Sequence, residues 1–192
     1  MVSVKDIKKE IKKKLSKDRY EHVLNVAERA CKLAEIHGED VKKAKLAGLL
    51  HDVTKEMSGK EHLKLFAIDG VKLTPVEKVS PQLWHAISAP IYVREHFGVQ
   101  DEDILNAIRY HTTGRKNMSK FEKIIFVAES TSKERDFPGV KQLRKDSEKN
   151  LDIGVFENCK WIIENMASRG KAICEHTFDT YNDIFIKIDV LE

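Results

Sequence analysis

Apolar residues recur with the period of an α-helix along nearly the whole chain. Residues 19–37 show it most clearly, at Val23, Val26, Ala27, Ala30, Leu33 and Ala34. A spacing of three or four residues places these side chains on one face of a helix. The same spacing predicts further helices at about residues 40–53, 58–67, 82–97, 101–112, 140–149 and 151–168. No comparable series alternates with the period of a β-strand, so the sequence predicts an all-α helical bundle.

Turn and capping residues separate these helices. Gly38 follows the first periodic segment, as glycine commonly does just past a helix. Ser119 and Glu122 have the spacing of a capping box, which predicts that a helix begins there. The stretch "ERDFPGV", residues 134–140, is predicted to be an irregular loop. Residues 176–188 alternate weakly, so a strand and a docked helix both remain open for that segment.

Charge and cysteine content argue against several classes of protein. The net charge of +3 is too small to indicate nucleic-acid binding, and the basic stretch "KKEIKKKLSKDR" is typical of a solvated helix face. Cys31, Cys159 and Cys174 form no C-x-x-C pair, which favours neither a disulfide framework nor a thiolate zinc site and indicates a cytoplasmic protein. No apolar run reaches the roughly 18 residues of a membrane span, and the N-terminus lacks a signal-peptide core. With no break in composition, we expect a single domain over residues 1–192.

Six polar side chains lie on the apolar faces of these helices. They are His22, His51, Asp52, His85, His111 and Glu129. One such histidine is usually a hydrogen-bonded core residue, but an unpartnered buried carboxylate costs several kcal/mol. A shared divalent cation satisfies all six, because imidazole and carboxylate both bind iron, manganese, zinc and cobalt. The residues alone leave open whether they form a metal site, of one ion or two, or hydrogen-bonded core positions.

The adjacent pair His51 and Asp52 adds a geometric condition. Neighbouring residues on a helix point about 100° apart. Both side chains can therefore reach one site only where a helix ends or bends, just before "VTKEMSGK". From that position Asp52 can bridge two ions.

Several motifs resemble one known family. They are "RYEHVLNVAERA", "LAGLLHDVTKE", "LWHAI", "IRYHTTGR" and "RDFPGV". Together they resemble the YqeK family of HD-domain phosphohydrolases, over about residues 18–182. That family is similar to symmetrical bis(5′-nucleosyl)-tetraphosphatases, which split diadenosine tetraphosphate into two ADP. The resemblance implies an all-α HD-domain bundle with a dinuclear metal centre, usually of iron.

The resemblance also implies a set of site residues. The metal ligands fall on His22, His51, Asp52, His85 and His111, with Glu129 where the family has an Asp. The following "STSKER" stands where the family tends to have an acidic residue and a Pro. Lys55 lies one turn past His51 and Asp52 and can face the same site as a point charge, so catalytic roles are predicted for Asp52 and Lys55. Contacts to the substrate fall on Lys55, His85, Thr112, Thr113, Arg115, Arg135, Phe137 and Pro138.

Residues outside this set receive structural interpretations. His37 is predicted near a helix C-terminus, where positive charge is favoured. His62 and His96 are predicted at the surface, and Trp84 is predicted to pack in the core. His176 is left without a chemical role.

The function expected from these observations is metal-dependent, symmetrical cleavage of diadenosine tetraphosphate. Three alternatives remain open. The first is an HD-type nucleotidase or phosphodiesterase of other specificity, and the second is a nucleotide-binding or sensing protein in which Glu129 has weakened catalysis. The third, an RNA-associated helical protein, depends only on the basic N-terminus. The expected partner is a small nucleotide rather than nucleic acid or membrane, and a homodimer remains open.

Overall fold

The structure is a computed structural model that describes residues 3–189, and within that range it contains helices and no strand. A short 3₁₀ turn, Pro81–Leu83, precedes the sixth helix. The α-helices are α1 (Val4–Lys14), α2 (Lys17–His37), α3 (Val41–Leu50), α4 (Gly59–Asp69), α5 (Pro75–Val79), α6 (Trp84–Phe97), α7 (Glu102–Tyr110), α8 (Lys120–Thr131), α9 (Val140–Lys149), α10 (Leu151–Ser168) and α11 (Glu175–Asp189). The prediction of an all-α fold is confirmed.

The predicted capping residues begin and end these helices. Ser119 accepts a hydrogen bond from the Glu122 amide, and the Glu122 side chain accepts one from the Ser119 amide. Gly38 ends α2 with φ of +69°, a conformation that glycine adopts without strain. The open segment 176–188 belongs to α11, which buries Ile184 in the core. Of the two alternatives for that segment, the docked helix is therefore the observed one.

Close packing of α2 against α3 brings the first predicted site residues together. A Cβ atom on Gly48 would lie 2.6 Å from the Ala27 Cα, so a larger residue would push the two helices apart. α3 ends at Leu50, and His51 and Asp52 lie in the turns that follow. The condition that this pair lies at a helix end is met.

The helices enclose one cluster of buried apolar side chains that extends from Ile7 on α1 to Ile184 on α11. α2 lies near its centre and packs against α3, α8 and α9. No helix among the described residues combines the length and the apolar composition that a membrane span requires.

The surface positions predicted for two histidines have different outcomes. His96 is exposed, as predicted, but the surface position predicted for His62 is wrong: it is 5% exposed. α4 packs against α6, and His62 hydrogen-bonds Ser88 on that helix at 2.8 Å. The side chain shares the face of α4 that carries Leu65 and Phe66, so its own apolar neighbours were the missed signal.

Candidate metal centre and adjoining cavity

The six polar side chains of the apolar faces meet at one place in the bundle. Four helices end or begin near it, and the loops after α3 and α7 contribute to it. The residues are His22 on α2, His51 and Asp52 after α3, His85 on α6, His111 after α7 and Glu129 on α8. Five of them are buried, and the Glu129 side chain is 16% exposed.

One half of the cluster consists of His22, His51 and Glu129. The Glu129 Oε2 atom lies 2.9 Å from His22 Nε2 and 3.2 Å from His51 Nε2. The two Nε2 atoms lie 3.3 Å apart. Three potential ligand atoms thus face a common point.

The other half surrounds Asp52. Its Oδ1 lies 3.2 Å from His85 Nε2 and 3.6 Å from His111 Nε2, and those two nitrogens are 3.2 Å apart. Its Oδ2 lies 3.6 Å from His51 Nε2 and 3.7 Å from His22 Nε2. Because its two oxygens face different histidine pairs, Asp52 is placed so that it would contact both ions if two metal ions were bound.

Hydrogen bonds on the far side of three rings fix which nitrogen faces the centre. The Nδ1 of His51 lies 2.7 Å from the Gly48 carbonyl, and the Nδ1 of His111 lies 2.7 Å from the Ile108 carbonyl. A carbonyl only accepts, so each Nδ1 carries a proton and points away from the centre, and each Nε2 faces the centre. The Nδ1 of His22 donates in the same way to Glu134, at 2.6 Å. Metal-ligating histidines are held by such outer hydrogen bonds.

The donor set fits a divalent cation. The ring nitrogens that face the centre lie about 3 Å from one another and from the carboxylate oxygens. Lone pairs of neutral imidazoles and of carboxylates held so close are unfavourable unless a cation is present. Asp52 Oδ1 is buried and forms no hydrogen bond. Nitrogen and carboxylate oxygen suit manganese, iron, cobalt and zinc.

The carboxylates of the centre are ionised. Burial alone would raise the pKa of Asp52, but the imidazoles of His51 and His111 hold it well below its ordinary value. Burial would also raise the pKa of Glu129, but His22 and His51 hold it well below its usual range. Both acids therefore carry negative charge at neutral pH.

The imidazoles divide into two kinds. Burial lowers the pKa of His51 and His85, so both rings are neutral at pH 7 and able to bind a metal. Burial also acts to lower the pKa of His22, but Glu129 and Glu134 outweigh it and raise the value to about 9. A cation that binds His22 Nε2 must therefore displace a proton.

Comparison with known proteins places this centre in a family. Residues 19–134, more than half of the chain, match the HD domain family. The chain belongs to the HD domain family. HD-domain hydrolases bind divalent metals, and the residues of this centre are of the type that holds them.

Relatives extend the similarity over nearly the full length. The chain is 35% identical to the "Bis(5'-nucleosyl)-tetraphosphatase, symmetrical" of Halalkalibacterium halodurans over 92% of this chain and 94% of the relative. It is 37% identical to the protein of that name in Bacillus subtilis, over 90% and 92% of the two chains. Among solved structures, a "predicted HD superfamily hydrolase involved in NAD metabolism" from Clostridium acetobutylicum superposes with a TM-score of 0.94 at 33% identity. That superposition covers 97% of this chain and 99% of the other.

Three basic side chains surround the HD-domain centre. Lys55 Nζ lies 3.2 Å from His85 Nε2, and burial lowers the pKa of this lysine. Arg135 forms an ion pair with Glu129. Arg19 donates to Asp52 Oδ2 at 2.7 Å and was not predicted. Its position three residues before His22, on the same helix face, is the signal that could have found it.

An apolar cavity of about 290 Å³ opens beside the centre. Seven of the predicted residues line it: Lys55, His111, Thr112, Thr113, Glu129, Arg135 and Phe137. The opposite wall was not predicted and comes from α10 and residues 172–177, including Trp161, Ile162 and Met166. The Phe137 and Trp161 rings lie 4.2 Å apart, and the Thr112 hydroxyl is buried without a hydrogen-bond partner.

A second, more polar cavity of about 360 Å³ reaches the centre from the other side. Arg19, His22 and Glu134 line it, and Arg135 and Phe137 line both cavities. The HD-domain centre is therefore open in two directions, with Arg135 and Phe137 between them.

Three predicted substrate contacts do not line the apolar cavity: His85, whose ring belongs to the centre, Arg115 and Pro138. Arg115 donates to both Glu122 oxygens, at 2.7 and 3.0 Å, because the turn after His111 directs it toward the start of α8. Pro138 is exposed and lies on the outer side of Phe137. Neither Arg115 nor Pro138 lines the cavity in this conformation, and their contact with substrate stays a prediction.

Proposed function

We propose that this HD-domain protein is a metal-dependent hydrolase that cleaves diadenosine tetraphosphate symmetrically into two ADP. The observation that carries the proposal is the buried Asp52, whose Oδ1 forms no hydrogen bond among convergent imidazole nitrogens beside an aromatic cavity. The names of the relatives from Halalkalibacterium halodurans and Bacillus subtilis supply the substrate.

The proposed cofactor is a pair of divalent ions, with iron the first candidate and manganese, cobalt or zinc as alternatives. The proposed ligands are His22, His51, Asp52, His85, His111 and Glu129. Such ions, when bound, activate water near neutral pH and neutralise charge on phosphate oxygens. The two histidine groups on either side of Asp52 support two ions rather than one.

Phosphate contacts are proposed for the cationic and hydroxyl groups at the cavity mouth. Lys55 and Arg135 supply positive charge within reach of the centre, and the buried Thr112 hydroxyl has a free donor to offer. Arg19 supplies a third charge from the polar cavity. The planar guanidinium groups suit paired phosphate oxygens.

The nucleoside contacts are proposed for the apolar cavity. Its volume lies at the lower end of the range for small-molecule sites, so it accepts one nucleoside rather than both. Phe137 and Trp161 offer ring faces on which a base can stack. The second half of the substrate then extends through the polar cavity, with the central phosphates at the metal centre.

The reaction consumes one water molecule. Its oxygen bonds to one of the two central phosphorus atoms, and the bond from that phosphorus to the bridging oxygen breaks. The bridging oxygen leaves with the other half and the two protons of the water pass to solvent, so both products are ADP. Lys55, Arg19 and Arg135 stabilise the negative charge that develops on the phosphates.

One assay tests this function. The purified protein is analysed for bound metals and incubated with diadenosine tetraphosphate, and the products are separated by chromatography. ADP as the sole product is expected, whereas ATP with AMP would indicate asymmetric cleavage. Turnover of other nucleotides in preference to this substrate would favour an HD-type nucleotidase or phosphodiesterase of different specificity.

A nucleotide-binding protein without turnover is the second candidate, favoured by the ion pair that Arg135 makes with Glu129. Substrate binding without ADP formation would support it. The variant Glu129→Asp should then restore hydrolysis, if the longer side chain is what prevents it. RNA binding that weakens steeply with salt would support the RNA-associated alternative instead.

A cytoplasmic location is part of the proposal and is supported by the free thiols of Cys31, Cys159 and Cys174. A homodimer remains an option that measurement of the molar mass in solution would decide.

A further inference from the structure

Glu134 is a contact of the centre that no sequence motif indicated. It lies in the loop after α8, 112 residues from His22 along the chain. Its Oε1 lies 2.6 Å from His22 Nδ1, on the side of the ring opposite to Glu129. The Ser132 hydroxyl donates to the same oxygen at 2.7 Å.

The position of His22 within its helix explains why such a partner is needed. His51 and His111 follow the ends of α3 and α7, where the Gly48 and Ile108 carbonyls of the last turn accept their Nδ1 protons. Carbonyls in the last turn of a helix have no main-chain partner and are free to accept. His22 lies inside α2, where the preceding carbonyls already accept main-chain hydrogen bonds. Its Nδ1 proton must find an acceptor from another part of the fold.

Glu134 is well suited to be that acceptor. Its Oε1 accepts from both the His22 Nδ1–H and the Ser132 hydroxyl, at 2.6 and 2.7 Å. Among the described residues its side-chain partners are His22 and Ser132, and it pairs with no lysine or arginine. Its contacts therefore serve the imidazole rather than a surface ion pair.

We propose that Glu134 is a positioning residue, which holds the Nδ1 proton of His22 so that the Nε2 lone pair faces a metal ion, and that Ser132 orients the Glu134 carboxylate. This inference rests on the metal centre of the proposed function. It does not depend on the identity of the substrate. Outer carboxylates of this kind fix the ring and make the ligand nitrogen more basic.

The test measures metal affinity rather than activity alone. The full-length protein is stripped of metal with a chelator and titrated with Mn²⁺, and the free ion is followed by its electron paramagnetic resonance signal. Glu134→Gln removes the charge with little change in shape and should weaken binding about tenfold, in the range found for outer partners. Ser132→Ala should weaken it less. Asp136→Asn removes one carboxylate from the same loop and should leave the affinity within about twofold.

A double-mutant cycle separates positioning from a structural role. If Glu134 acts through His22, then Glu134→Gln has no further effect on Mn²⁺ affinity when His22→Ala is already present. An equal loss in both backgrounds, or unchanged affinity in the single variant, would overturn the inference. Circular dichroism of each variant establishes that the helices are intact.

The two proposals fail in different ways. Weaker Mn²⁺ binding by Glu134→Gln in a protein that forms no ADP would retain the positioning role and reject the substrate. ADP formation with unchanged Mn²⁺ affinity in Glu134→Gln would retain the enzyme and reject the positioning role.

Discussion

Helix α8 carries one largely buried glutamate near each end, and the two have opposite surroundings. Near the N-terminus, Glu122 is 2% exposed and receives hydrogen bonds from Ser119 and Arg115 on both oxygens. The helix dipole favours negative charge at that end. Near the C-terminus, Glu129 faces the Nε2 atoms of His22 and His51, where the dipole disfavours negative charge.

The difference lies in what each carboxylate faces. Glu122 meets only donors, so its burial is balanced by the capping box and by Arg115. Glu129 faces two ring nitrogens and the Arg135 guanidinium. Burial keeps His51 neutral, so its Nε2 offers a lone pair, and the proton on His22 Nε2 is one that a bound cation would displace. A buried acid that is fully supplied with donors stabilises a fold, whereas one that faces lone pairs marks a place for a cation.

The largest expected effect is a loss of hydrolytic activity when Glu129, near the C-terminus of α8, is replaced. Glu129→Gln should lower the rate of ADP formation from diadenosine tetraphosphate about 10³-fold, because several kcal/mol of charge stabilisation depend on the metal centre. The rate is measured with metal in excess, and circular dichroism is the control for folding. A loss smaller than tenfold would remove Glu129 from the proposed ligands.

Replacing Glu122, near the N-terminus of α8, is expected to lower stability and leave activity unchanged. Glu122→Gln leaves Arg115 partly unpaired and should lower the free energy of unfolding by about 2 kcal/mol. Urea denaturation of the metal-free protein measures this change. ADP formation by the folded variant should stay near that of the parent protein. If both glutamate variants lost activity equally, the contrast between the two ends of α8 would be wrong.

A more moderate effect is expected in the loop that follows α8. Phe137→Ala removes one of the two rings of the apolar cavity and should raise KM about tenfold, since stacking of a base contributes ~1–3 kcal/mol. The value of kcat should change less, because the ring lies away from the ligand atoms. Phe178→Ala, at a half-exposed position on α11, is the matched control. An unchanged KM would show that the base does not bind here.

A separate effect concerns pH and the metal-free protein. His22 has a pKa of about 9 in the folded state and an ordinary value of 6.5. Because folding raises this pKa, the protonated His22 contributes fully to the stability of the fold below pH 6.5. That contribution is lost as the pH rises through about 9. The free energy of unfolding should therefore decline over this interval, and His22→Gln should remove that part of the decline. Urea denaturation at a series of pH values measures both proteins, and identical pH profiles would contradict the assignment.

Local sequence patterns were sufficient for much of the fold. The capping box at Ser119 and the glycine after α2 gave the helix limits, because caps satisfy main-chain groups with side chains only a few residues away. Helical periodicity also identified the six inward polar side chains, since the face on which a residue lies depends on its immediate neighbours. The weak alternation of residues 176–188 left a strand and a docked helix both open, and packing of α11 on the core decided for the helix.

The partners of those side chains depended on the tertiary structure. The contact of Glu134 with His22 joins residues 112 positions apart, and that of Arg19 with Asp52 joins residues 33 apart. Arg115, predicted as a contact to the substrate, pairs with Glu122. In each case the two residues come into contact only after the helices and turns between them have folded.

The sequence by itself determined that the chain is helical and that imidazoles and carboxylates occupy inward faces, because both depend on period and composition. Only the tertiary structure decided which of these groups meet a donor and which meet a lone pair. That distinction separates Glu122, which pairs with Arg115, from Glu129, which faces His51. It arises because packing of the helices determines which groups surround each buried charge.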